Sequence, residues 1–122
     1  MVEEAAALAS RLKHRLIKKD WTISTAESCT GGLISSLLTD ISGASAWFKQ
    51  GWIVYSNESK MRELGVESSA FDEGGYGAVS HKVAVQMARG ARYKSGSNIS
   101  IAVTGIAGCL LYTSPSPRDS CA

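Results

Sequence analysis

Residues 21–38 read WTISTAESCTGGLISSLL, and this stretch decides the fold. Trp21 to Thr25 alternates in strand fashion. Ala26-Glu-Ser-Cys-Thr-Gly-Gly32 follows as a turn, and its paired glycines allow a ligand to approach the backbone closely. Leu33, Leu37 and Leu38 then recur on one side of a helix. A strand that passes at once into a helix is half of a β-α-β unit, the building block of a parallel sheet.

The same succession extends in both directions. Upstream, a helix is predicted from Glu3 to Lys19, with Leu8, Leu12 and Leu16 at i+4 and Ala5 and Ile17 widening the stripe. Glu3 and Glu4 at its start and Lys18 and Lys19 at its end suit the helix dipole. Downstream, Ser42–Ser45 is a loop and Trp52–Tyr55 a short apolar strand. Ser56 and Asn57 read as caps of a short helix through Leu64. Gly74–Gly77 is a flexible connection, and Ser80 caps a helix carrying Val83, Ala84, Met87, Ala88 and Ala91. Ile99–Val103 is a strand that runs into Thr104-Gly-Ile-Ala-Gly108. Trp47, Phe48 and Trp52 are expected to pack together around the second strand. Strands separated by helices imply α/β layering, with ligands gathered at the carboxyl ends of the strands.

Composition narrows the function. The 122 residues are 44% hydrophobic and 20% charged, which describes one packed domain. Thirteen Lys and Arg against eleven Asp and Glu give a net charge of +2, too even a balance to grip nucleic acid or an anionic membrane. No apolar run is long enough to span a bilayer, and the acidic start MVEEAAALAS is not a secretory signal. Cys29, Cys109 and Cys121 have no metal-type spacing, and only two histidines are present, so neither a zinc site nor a disulfide framework is expected. Three free thiols suit a reducing, cytoplasmic setting.

Three strand ends carry polar or glycine-rich residues. Ser28 stands where a strand turns into a helix expected to begin near Thr30. Backbone N–H groups of that first turn can hold an oxyanion or a phosphate, so Ser28 is a candidate nucleophile. Equally, Ser28 or Thr30 simply caps the helix. Cys29 is a competing nucleophile, or a small buried thiol. A serine nucleophile needs a base. His81 follows the Ser80 cap on a solvent face, and Lys60 lies one helical turn past Asn57. Lys60 can act as a base only if burial or a nearby cation lowers its pKa. Tyr55 offers a hydroxyl to a substrate or to Lys60. Thr104 and Gly105 bring a hydroxyl and close backbone to the same crevice.

At these residues the chain resembles a known family. Thr25-Ala-Glu-Ser-Cys-Thr-Gly-Gly32 resembles the signature of the CinA C-terminal domain, the nicotinamide-nucleotide amidase family. The likeness continues through Ser45–Phe48, Gly51–Lys60, Leu64–Val66, Gly77–Ser80 and Val103–Gly108. It implies a three-layer α/β/α sandwich with a mixed, mainly parallel sheet. It also implies hydrolysis of the carboxamide of nicotinamide mononucleotide to nicotinic acid mononucleotide and ammonia, without metal or other cofactor. Carried over by residue, Ser28 matches the nucleophile and Lys60 its base, with Tyr55 and Thr104 around the reacting centre. Cys29, Thr30, Gly31, Gly32, Asn57 and Gly105 are expected to contact substrate. The alternative is a non-catalytic nucleotide- or phosphate-binding module that uses the same turns. The partner is then a small nucleotide, and homo-oligomers are expected.

Two stretches depart from the family pattern. Phe71–Tyr76 stands where the family has a short helix. From Cys109 onward the sequence no longer follows it. The expected division is therefore an incomplete amidase domain over residues 1–108 and a non-matching tail over 109–122, with the end of the sheet missing and activity impaired.

Overall fold

The computed structural model describes residues 2–75 and 80–105. Helix α1 (Val2–Lys19) opens with Glu3 and Glu4 and closes with Lys18 and Lys19. Its stop is made by Asp20, held at φ 59, after which the Trp21 N–H donates back to the Leu16 carbonyl at 2.9 Å. The order is then β1 (Ile23–Glu27), α2 (Leu33–Thr39), a short 3-10 turn, β2 (Phe48–Ile53), α3 (Asn57–Leu64), a 3-10 segment (Ser68–Gly75), α4 (His81–Ser95) and β3 (Ile99–Val103).

The three strands form one sheet in the order β2-β1-β3, and both pairings are parallel. Two cores lie on its two faces. Leu16 and Ala9 of α1 and Leu38 of α2 pack with Ile23 and Trp47 on one side. Leu64 of α3 and Val83, Met87 and Ala91 of α4 pack with Ala26 and Val54 on the other. This is a three-layer α/β/α sandwich, as expected. The described strands are all parallel.

Side-chain alternation assigns the faces. On β1, Ile23, Thr25 and Glu27 point towards α1 and α2, and Ser24 and Ala26 towards α3 and α4. On β2 the register slips between Ile23 and Ser24, so that Phe48 pairs with Ile23 but Gln50 with Ser24. The extra residue is Lys49, a bulge that turns Trp52 to the α3/α4 core while Phe48 stays with the α1/α2 core. Trp47, Phe48 and Trp52 are thus core residues, but of two cores rather than one cluster.

Other expectations shift by two to four residues or in phase. The strand placed at Trp21–Thr25 runs over Ile23–Glu27, and the one placed at Trp52–Tyr55 begins at Phe48. The buried stripe of α1 is Ala9 and Leu16 with Leu12 beside them, whereas Leu8 and Ile17 are exposed. Leu33 is also exposed, and Ile34 and Leu38 make the contacts of α2. Two helices start at the expected serine, whereas Asn57 is the first residue of α3 rather than a cap. Ser56 accepts from the Ser59 N–H at 3.0 Å and starts α3, and Ser80 accepts from the Val83 N–H at 3.1 Å and starts α4. Of the Gly74–Gly77 connection, Gly74 and Gly75 end the 3-10 segment and the remainder lies outside the described residues.

Candidate active site

The chain leaves β1 towards α2 on one face of the sheet and leaves β2 towards α3 on the other. Adjacent parallel strands whose connections diverge in this way leave a crevice at their carboxyl ends. Ser28 directly follows β1, Tyr55 lies two residues past β2, and Thr104 directly follows β3. Three of the predicted site residues therefore meet at one end of the sheet. The ladder is extended there by the Ser28 N–H, which donates to the Val103 carbonyl at 3.0 Å, and by the Val54 N–H, which donates to the Glu27 carbonyl at 2.9 Å. Alternation continued by one residue turns Ser28, and likewise Thr104, to the α3/α4 face. Both are buried.

Lys60 lies on that same face. It sits one turn before Leu64 on the core-facing stripe of α3 and is only 1% exposed. Its Nζ donates to the Tyr55 carbonyl at 3.0 Å. The tie to Tyr55 is thus through backbone and not, as expected, through the hydroxyl, and the Tyr55 side chain is exposed. Among the described residues no carboxylate pairs with Lys60; the ion pair found there joins Arg62 to Glu63. Burial pushes the Lys60 ammonium below its ordinary pKa, while negative charge on the nearby Cys29 thiol pulls the other way. His81, the competing base, is exposed at the start of α4. Asn57 is the first residue of α3 and is exposed, and Gly105 is half-buried beside Thr104.

The turn after Ser28 differs from expectation. The helix does not begin near Thr30 but at Leu33, after Gly31 at φ 60 and Gly32 at φ 108. Both glycines sit in the left-handed region, which other residues rarely adopt. The N–H groups of the helix start do not face an empty crevice. They are taken by Glu27, a residue not singled out in the sequence. Its Oε1 accepts from Thr30 Oγ1 at 2.6 Å, from the Ile34 N–H at 2.9 Å and from the Gly32 N–H at 3.2 Å. Its Oε2 accepts from the Ser35 N–H at 2.7 Å and Ser35 Oγ at 2.6 Å. Burial alone would raise this carboxyl, but the bonds from Ser35, Thr30 and Ile34 together hold it below its ordinary value of 4.5. A depressed carboxyl stabilises the fold above that value, and the contribution is lost as pH falls through the lowered one. The signal available in the sequence was the period of two, which puts Glu27 on the face of Ile23 and Thr25.

Ser35 Oγ is also 2.7 Å from Thr25 Oγ1. With the Ser35 proton committed to Glu27, Thr25 is the donor. Gly51 of β2 lies over this cluster, where a Cβ would stand 2.6 Å from Thr25 Oγ1 and 2.8 Å from Ser35 Oγ. Gly51→Ala is expected to cost about 1–3 kcal/mol, read as a fall in melting temperature of at least roughly 4 °C. An unchanged melting curve would show that the hydroxyls can yield.

Among the described residues no group of three or more His, Cys, Asp and Glu is placed to hold a metal ion. Nor is any of their helices long and apolar enough to cross a membrane.

The family model described as the CinA C-terminal domain matches residues 5–117. The match runs beyond the expected boundary at residue 108, into residues outside the described ones. A curated relative, the nicotinamide-nucleotide amidohydrolase PncC of Enterobacter agglomerans, is 48% identical over 83% of this chain and 60% of its own length. A CinA-like protein of Geotalea daltonii is 58% identical over 71% of this chain and 21% of its own length. Among solved structures, the competence/damage inducible protein CihA from Agrobacterium tumefaciens superposes with a TM-score of 0.79 at 45% identity, over 85% of this chain and 62% of that one. The chain spans less than two thirds of each of these relatives.

Proposed function

The chain belongs to the CinA C-terminal domain family, and on that premise we propose that it hydrolyses the carboxamide of nicotinamide mononucleotide, giving nicotinic acid mononucleotide and ammonia. The observation that carries the reading is Lys60. It is a buried lysine without a described carboxylate partner, anchored at the strand end and facing the same layer as Ser28. Burial favours its neutral form, which is the form a base requires.

In the proposed reaction Ser28 Oγ attacks the amide carbon, and neutral Lys60 takes the hydroxyl proton. Negative charge develops on the amide oxygen, and backbone N–H groups near Cys29 and Thr30 receive it. The C–N bond breaks, Lys60 returns the proton to the leaving nitrogen, and ammonia departs. Water, deprotonated by Lys60, then hydrolyses the ester on Ser28. Tyr55 and Thr104 line the reacting centre, and Gly31, Gly32, Asn57 and Gly105 the nucleotide. No metal or other cofactor has a part in it. The setting is the cytoplasm, and homo-oligomers remain part of the proposal. So does the division into an amidase domain over residues 1–108 and a tail over 109–122, with activity reduced if the sheet is incomplete.

The Gly32, Ile34 and Ser35 N–H groups at the start of α2 are already bonded to Glu27, so they serve neither an oxyanion nor a phosphate, and the phosphate-binding alternative would have to use other donors. The test is ammonia release from nicotinamide mononucleotide by the purified chain and by Ser28→Ala. Release by the first and loss of about 100-fold or more in the second is expected. Equal release by both would remove Ser28 as nucleophile.

A further inference from the structure

We propose that Glu27 is a positioning residue: its carboxylate acts as a built-in anion at the N-terminus of α2 and thereby fixes the turn that presents Ser28. The inference rests on the amidase reading and deepens it. The first N–H groups of a helix have no partner within the helix, and a side chain at the N-cap usually takes one of them. Here the N-cap is Gly32, which has no side chain to offer. The duty falls to Glu27, the last residue of the central strand, which bonds Gly32, Ile34 and Ser35 through their N–H groups.

The consequence is a strap across the base of the turn. Glu27 is bonded covalently to Ser28 at one end of residues 28–32, and its carboxylate holds Thr30 and Gly32 at the other. Within the loop the Gly31 N–H donates to the Ser28 carbonyl at 3.0 Å. The orientation of Ser28 is therefore set from both sides. Glu27 itself points towards α2, whereas Ser28 and Lys60 lie on the opposite face of the sheet. It acts through the turn and not on the substrate. Five donors converge on two oxygens, and only an acceptor-only group satisfies them all. A glutamine would direct its NH2 at donors in either orientation.

The test is Glu27→Gln in the full chain, with Ser35→Ala as a milder second variant that removes one of the five donors. With nicotinamide mononucleotide as substrate, Glu27→Gln is expected to lower kcat about 100-fold, the scale of a 1 Å misplacement. KM should stay within about twofold, since binding is not what the strap supplies. The acid limb of the pH profile, assigned to Lys60, should not move. Amide hydrogen exchange should accelerate at Gly32, Ile34 and Ser35 and not across β1. Ser35→Ala should show a smaller kcat loss of the same kind. Unchanged kcat in both variants would overturn the proposal. So would a kcat loss accounted for by the unfolded fraction, or a loss expressed only in KM. If the unaltered chain releases no ammonia, the amidase reading fails instead, and the exchange pattern still decides whether the strap exists.

Discussion

Replacing Lys60 with methionine is expected to abolish amide hydrolysis and, in the same variant, to raise the melting temperature. The two effects have one cause. Lys60 is only 1% exposed, on a stripe of α3 that otherwise faces the core, and its ammonium has no described carboxylate beside it. Charging it costs desolvation that one bond to the Tyr55 carbonyl does not return. Methionine keeps most of the stem and removes the ionisable end. Tyr55 is exposed, so water can replace the lost donor to its carbonyl. A gain of about 1 kcal/mol is expected, or roughly 4 °C. The loss of a general base should cost about 100-fold or more in kcat.

The pH dependence carries the sign. The Lys60 pKa in the folded protein lies below its ordinary value of 10.5. Between the lowered value and 10.5 the unfolded chain therefore binds a proton more readily, and the contribution of Lys60 to stability rises with pH across that window. The advantage of Lys60→Met should be greatest at low pH and vanish above 10.5. Activity of the unaltered protein should rise with pH through the lowered Lys60 pKa. Lys60→Arg, which cannot lose its proton, should be inactive throughout. A methionine variant that melts earlier while retaining activity would refute both the burial argument and the base assignment.

The sequence made the layers legible because the helices carry apolar stripes and two of them, α3 and α4, begin at a hydroxyl cap. Ser56 and Ser80 announce α3 and α4 directly, and the family motifs point to Ser28 and Lys60. Three features were not legible, for physical reasons. The edge strand β2 begins FKQG, which has no strand pattern of its own and is paired into place by β1. The phase of α1 is one position off the expected one, because Leu8-Leu12-Leu16 and Ala9-Leu12-Leu16 fit the period equally well. Only packing against Trp47 and Ile23 selects the second. The role of Glu27 depends on donors up to eight residues away that meet its carboxylate only after α2 docks on the sheet. A strand glutamate beside a polar turn looks solvated until the fold is assembled.

Gly90→Ala is the second change with a large expected effect, and it tests how α3 is held in place. Gly90 lies in the interior of α4, where alanine normally gains about 1 kcal/mol in helix propensity. Here a Cβ would stand 2.0 Å from the Leu64 carbonyl oxygen, 2.8 Å from its carbonyl carbon and 3.0 Å from its Cα. All three are backbone atoms, and no rotamer can move them aside. α3 and α4 would have to part by about 1 Å, opening the core formed by Leu64, Val83, Met87 and Ala91. Overpacking of this kind costs about 1–3 kcal/mol and occasionally more. Set against the helix gain, the net loss is up to about 2 kcal/mol, and the melting temperature should drop by up to roughly 10 °C. Because α3 also carries Lys60, the molecules that remain folded should turn over more slowly. Gly65→Ala is the control, since it lies next to Leu64 at φ 72 with no atom within 4 Å of its Cβ position. Its cost is backbone strain alone, about 1 kcal/mol. If Gly90→Ala proves milder than Gly65→Ala, the two helices are not in the close contact that sets the position of Lys60.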